Sequence, residues 1–236
     1  MADVDKRLRI RSRSGAEKDV YGAAGNASNP MAILHETNGV IFPYTPTVTY
    51  KQNPQWQSQD LTHSIQQYYY FTAVESAQIS IGGRFTVQNS QEGKYLLGVW
   101  HFLRSYSKMH FGINDPQKGL PPPILLLDGY GGYVFNELPI IIQTWNIDFP
   151  ADVDYVRVST STPIVGPEIR RDQSGTSSST ANIGSPASSS PGNEYAYLPS
   201  STNINITAVV QRPPNSLKRD FNLQDFREGR LLKGFT

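Results

Sequence analysis

The chain has 236 residues, 38% of them hydrophobic, with a net charge of +1 and no cysteine. That length allows one large domain or two small ones, and the missing thiols exclude disulfide frameworks, cysteine nucleophiles and thiolate metal sites. The first twenty residues are charged and no run approaches the roughly 20 apolar residues of a membrane helix, so the expectation is a soluble chain without a secretion signal.

In chain order, residues 1–38 lack sustained periodicity and include the flexible string GAAGNASNP at 22–30, so they read as an extended N-terminal arm. Residues 39–211 read as one β domain. Over 40–51, Val40, Phe42, Tyr44, Val48 and Tyr50 alternate with polar residues or proline, and Pro43 and Pro46 put this strand at an edge or a bend. IQQYYYFTA at 65–73 and SAQISIGGRFTV at 76–87 read as the next strand pair, with Gly82 and Gly83 inviting a bulge.

Residues 89–112 hold the one convincing helix. Asn89 caps its first turn and Glu92 reaches back, a capping box with Asn in the Ser/Thr place. Tyr95, Leu96, Val99, Phe102, Leu103 and Tyr106 recur at steps of three and four and share one face. Lys94, Arg104 and Lys108 lie off that stripe, and Gly112 offers a left-handed stop. Such a helix is expected to cover an open sheet face.

Three prolines at 121–123 stiffen the approach to a short apolar run at 124–127, and DGYGG at 128–132 is a turn signal. In PIIIQTWNIDF at 139–149 the side carrying Ile141, Gln143, Trp145, Ile147 and Phe149 reads as the drier one. Residues 159–202 are dominated by Ser, Thr, Gly and Pro and read as an insertion with little to build a core. A last strand, with Ile204, Ile206, Ala208 and Val210 alternating, precedes Pro213 and Pro214. Residues 212–236 read as a C-terminal arm whose Phe221, Phe226, Leu231 and Leu232 sit among charges, a pattern that suits a partner surface or a fold-back onto the sheet.

Catalytic chemistry is thin. His35, His63, His101 and His110 fit no metal-ligand spacing. Asp148, Asp152 and Asp154 lack the glycine and distal glutamate of a calcium loop, so a solvated turn is the simpler reading. Gly129, Gly131 and Gly132 suggest a phosphate cradle only superficially, because no helix follows them. The expectation is a protein that is not an enzyme and uses no cofactor or metal.

Charge is uneven. Residues 1–19 hold six basic and four acidic side chains, residues 212–236 six and three, and the middle nine and thirteen. The densest basic run, KRLRIRSR at 6–13, includes Arg7, Arg9 and Arg11. It suits an arm docking on a neighbouring subunit, a solvated tail or a nucleic-acid contact.

The strings FPYTPTVTY (42–50), LTHSIQQYYYF (61–71), GGRFTVQNSQEGKYLLGVWHFLRSYSKMHFG (82–112), PPPILLLDGYG (121–131), LPIIIQTWNIDFPADVDYV (138–156) and DFNLQDFREGRLLKG (220–234) together resemble the baseplate tail-tube cap, or tube-initiator, family of contractile-tailed bacteriophages. The resemblance spans most of the chain outside 159–193. It implies a mainly β protein, an antiparallel β-sandwich or barrel of the tail-tube type with one flanking helix and extended terminal arms. It implies a homo-hexameric ring in the virion baseplate, assembled in the host cytoplasm, through which DNA passes without sequence-specific binding. The expected partners are the tail-tube subunit, hub or tube-junction proteins and the sheath initiator. On this reading Glu75, Asp128, Glu137 and Asp148 are candidate channel or rim acids, since acids on a wall spare DNA the affinity that Lys and Arg contacts add. Arg7, Arg9, Arg11, Phe221, Phe226, Leu231 and Leu232 are candidate inter-subunit contacts. The competing reading is a β-sandwich carbohydrate- or receptor-binding module that stacks ligands on its tyrosines and on Trp56, although Trp100 and Trp145 fall among apolar neighbours that suit a core.

Overall fold

The computed structural model describes residues 7–24, 29–111, 113, 115, 117–160 and 194–235. The elements run β1 (Arg9–Arg11), α1 (Glu17–Tyr21), α2 (Ile33–Glu36), β2 (Val40–Ile41), β3 (Thr47–Lys51), β4 (Pro54–Gln59), β5 (Tyr68–Val74), β6 (Gln78–Thr86), α3 (Ser90–Tyr106) and β7 (Leu125–Gly129). They continue through β8 (Phe135–Ile147), β9 (Tyr155–Thr160), β10 (Glu194–Pro199), β11 (Ser201–Val210), α4 (Pro214–Asp220) and α5 (Leu223–Arg227). The protein is mainly β. Seven strands form one antiparallel sheet in the order β2, β1, β7, β8, β11, β6, β3, and β4 with β5 and β9 with β10 form separate two-stranded ribbons. Among the described residues the large sheet is open and no barrel closes.

Helix α3 forms where its caps and stripe place it. The Asn89 side chain accepts from the backbone N–H groups of Gln91 and Glu92, and Glu92 accepts from the Gln88 N–H, so the box closes one residue further out than expected. Leu96, Val99, Phe102, Leu103 and Tyr106 are buried against the inner sheet face. The helix stops at Tyr106, with Ser107 donating its N–H to Leu103, and Gly112 lies outside the described residues. Gly93 lets the β9–β10 ribbon come close, because a Cβ there would lie 2.3 Å from Val158 Cγ2.

The N-terminal segment is not an extended arm. β1 pairs with both β2 and β7, and Leu8, Ile10, Val20, Tyr21 and Leu34 belong to the core. The reason lies in Leu8, Ile10 and Ser12, which alternate inward between outward arginines, the period of a strand. Likewise β5 does not pair with β6. It pairs with β4, while β6 runs between β3 and β11.

Two further corrections come from packing. The β6 register against β11 is continuous through Gly82 and Gly83, so there is no bulge. Gly83 instead receives the Phe42 ring, whose Cδ1 lies 2.2 Å from where a Cβ would stand. The bulge falls in β8, where β11 residues Thr207 and Ala208 face Thr144 and Ile142 and skip Gln143. It reverses the parity of the strand. Leu138, Ile140 and Ile142 point inward before it and Trp145 and Ile147 after it, so neither side of β8 is dry throughout. Within the expected insertion, residues 159–160, 194–199 and 201–202 are strand instead of loop; residues 161–193 lie outside the described residues.

Two core substitutions test this packing. Gly83→Ala is expected to lower unfolding stability by about 1–3 kcal/mol in denaturant titration, by overpacking against Phe42. Tyr106 buries a hydroxyl that makes no well-formed hydrogen bond among the described residues; burial pushes its pKa up to about 12, opposed only in part by the nearby Ile142 backbone. Tyr106→Phe is therefore expected to raise stability by up to about 1 kcal/mol in the same measurement, and a loss would reveal a hidden partner.

Candidate assembly surfaces

The two faces of the large sheet differ sharply. Inward, β3, β6, β11 and β8 present Val48, Ile79, Ile81, Phe85, Ile204, Ile206, Ala208, Trp145 and Ile147 to the core. Outward, the registers bring Thr47 beside Gly82, Thr49 beside Ser80, Asn203 beside Arg84, and Asn205 beside Asn146. Thr207 lies between Ser80 and Thr144 in the same rows. This outward field consists largely of small uncharged polar groups, and Arg84 in it donates from Nε to Ser201 Oγ at 2.8 Å. Its signal was present in sequence as the polar half of the alternation in β6 and β11.

The sheet edges also differ. At the β2 edge the Tyr95 hydroxyl accepts from the Ile41 N–H at 2.7 Å and donates to the Ile41 carbonyl at 3.0 Å. That pair of bonds occupies the backbone groups a new strand would need. Tyr95 was legible only as part of the helix stripe; its edge-closing role depends on β2 lying beneath it. The opposite edge is β3, which has one strand neighbour, β6.

From β3 the chain runs directly into the β4–β5 ribbon, every residue of which is exposed. Trp56 stacks edge-on against Phe71 at 5.5 Å, and the Tyr70 hydroxyl donates to Gln57 Oε1 at 2.6 Å. Trp56, Tyr68, Tyr69, Tyr70 and Phe71 each leave half or more of their surface in solvent. Because alternate residues face opposite ways, these rings stand on both faces of the ribbon.

The four candidate acids do not form one array. Asp128 and Glu137 meet at Arg11, whose guanidinium bonds Asp128 through Nε and Glu137 through Nη2 at 3.2 Å. Glu137 also pairs with Lys233 at 3.0 Å, and its N–H donates to Asp128 Oδ1 at 2.7 Å, an arrangement reached with Glu137 in the left-handed region at φ 51°. Lys233, with Arg11 in support, holds the Glu137 carboxyl below its ordinary pKa. Burial works against the charge on Arg11, and its two acidic partners more than offset this, leaving its pKa raised. Glu75 lies at the ribbon base, accepting from Asn53 and Gln55, which lower its pKa. Asp148 follows β8, exposed, its backbone carbonyl accepting from the Thr202 hydroxyl.

Of the candidate contact residues, Arg11 is thus engaged within its own chain. Arg9 lies opposite Ile41 and Asp128 in register, and Arg7 precedes β1 at the surface. Phe221 packs 6.0 Å from Phe226 and 5.8 Å from Phe235, and Phe226, Leu231 and Leu232 are half-buried. The expected C-terminal arm folds back on the sheet. Trp100 is half-buried, edge-on to Phe149 at 5.6 Å, while Trp145 packs against the core. His35 bonds the Gly22 carbonyl and His110 lies 3.2 Å from Asp115, and His63 occupies a turn at φ 64°. No helix among the described residues is long and apolar enough to cross a membrane.

No protein-family model matches the chain, and no curated protein matches it significantly.

The Arg11 network yields a pH-dependent expectation. Arg11→Met leaves Asp128 without its cation and Glu137 with Lys233 alone, and is expected to cost about 1 kcal/mol at neutral pH. A carboxyl whose folded pKa is depressed stabilises fully above its unfolded value, about 4.3 for Glu, and loses that contribution as pH falls through the folded value. The gap between wild type and variant should therefore narrow below about pH 4, as read by urea titration across pH.

Proposed function

We propose that this chain is a structural subunit of a ring at the baseplate end of a contractile phage tail, where it caps the hub and initiates tail-tube polymerisation around a DNA channel. The tail-tube type of fold, the six-fold ring and the partners named above belong to this proposal. The observation that carries it is the outward field of Thr47, Thr49, Ser80, Asn203, Asn205, Thr207 and Thr144 on an open sheet. Lys and Arg contacts to phosphate release counterions and add affinity. Apart from Arg84 and Lys51, a wall of small neutral groups offers few such contacts, which suits a surface past which DNA slides. Asp128 and Glu137 are less suited to that role, since they are already paired with Arg11 and Lys233.

Assembly follows from the same elements. One edge is closed by Tyr95 and the other leads into an exposed aromatic ribbon. A head-to-tail contact between unlike surfaces generates a ring when its rotation closes. The exposed aromatics also favour a second reading, a carbohydrate- or receptor-binding module. Against it, the rings stand on both faces of a ribbon instead of walling a groove, an arrangement better matched to burial between subunits.

Electron microscopy of the purified protein, alone and with the tail-tube subunit, separates the two. Six-fold rings that seed tube growth are expected; persistent monomers that bind a glycan and leave tube growth unchanged would contradict the proposal. Trp56→Ser with Tyr69→Ser should abolish the rings while leaving the melting temperature within a few degrees, because neither residue contributes to the core.

A further inference from the structure

The outer face near β1 and β7 differs from the polar field, and residues 212–235 lie over it. β8 pairs with β11 only from Ile140 onward, so its first stretch, 135–139, has β7 on one side and no strand on the other. The C-terminal segment fills that place. The Gln211 N–H donates to the Pro139 carbonyl at 3.0 Å and the Gly234 N–H to the Asn136 carbonyl at 2.6 Å, while Lys233 pairs with Glu137. Between the segment and the sheet is an open groove of about 730 Å³, walled on one side by Arg11, Arg13, Ile124, Leu126 and Pro139 and on the other by the segment's own Ser216 and Phe235. The Arg212 guanidinium lies 3.6 Å from the Phe235 ring centroid.

The segment fits but is lightly held. Neither α4 nor α5 buries a residue, and Leu217, Phe221 and Leu223 stay 44%, 42% and 50% exposed. Its attachments are a few hydrogen bonds and a surface ion pair, each small in net effect. It leaves β11 through Pro213 and Pro214, with Pro213 extended at φ −63° and ψ 134°, so two prolines separate it from the sheet.

We propose that residues 212–235 are an exchangeable strap, and that in the self-associated protein each groove holds the strap of a neighbouring copy. This rests on the self-assembly part of the function proposed above. The occupant is a second copy because the flank of β8 already accepts this segment, and an exchanged strap makes the same Gly234 and Lys233 contacts it gives up. Swapping of an identical element is therefore nearly neutral contact by contact, and association is favoured by whatever else the two copies bury. One complementary pair joins strap and rim, Lys233 with Glu137 at 3.0 Å.

The absence of native cysteine makes the test direct. Full-length chains carrying Glu137→Cys alone and Lys233→Cys alone are mixed, assembled and treated with a short bismaleimide, which can join them only between chains. Linked dimers should be enriched many-fold over the same mixture diluted to monomer. A second pair, Ile124→Cys and Ser216→Cys, reads the same groove without removing the ion pair. If assembled protein carrying both substitutions of either pair in one chain links only within chains, the exchange is wrong and self-association stands. If the chain never self-associates at any concentration, both fail.

Discussion

An antiparallel sheet that remains open must have two unlike faces, and this fold depends on keeping them unlike across seven strands. The inner face is covered by α3, whose buried stripe from Leu96 to Tyr106 meets Ile79, Ile81, Ile204 and Ile206. The outer face over β3, β6, β11 and β8 is polar, and among the described residues the only other sheets are two-stranded ribbons. The bulge at Gln143 serves the same constraint, because without it Trp145 and Ile147 would face outward and Thr144 and Asn146 would face the core.

Once the faces are fixed, the edges decide how the molecule can associate. A sheet with two open edges invites uncontrolled pairing. Here the Tyr95 hydroxyl satisfies both backbone groups of Ile41 at one edge, and the C-terminal segment covers the unpaired start of β8. The β3 edge, continuous with the aromatic ribbon, has β6 as its one strand neighbour among the described residues. Such asymmetry favours contacts between unlike surfaces, the kind that can close into rings.

Much of this was legible in the sequence. The start of α3 was readable because Asn89 and Glu92 are local signals, and β11 because its alternation is unbroken. β1 was obscured by its own charge: the arginines at 7, 9, 11 and 13 hid the inward alternation of Leu8, Ile10 and Ser12. Gly83 resembled a bulge, since nothing local reveals that the Phe42 ring will lie against it. The pairing of β5 with β4 was equally hidden, as PQWQSQ has no apolar alternation and becomes a strand only through its partner. At the candidate surfaces, composition exposed an acidic middle but not that Arg11 and Lys233 would neutralise Asp128 and Glu137. The uncharged outward field is present in sequence only as the polar half of each strand's alternation, and it becomes one surface only when the registers align those threonines, serines and asparagines.

If the polar field lines a channel, as proposed, a cryo-EM reconstruction of the assembled protein should show a ring whose lumen is walled by Thr47, Ser80, Asn203, Asn205 and Thr207, with α3 on the outside. A ring whose lumen is lined by α3 or by the aromatic ribbon, with the polar field turned to bulk solvent, would contradict it.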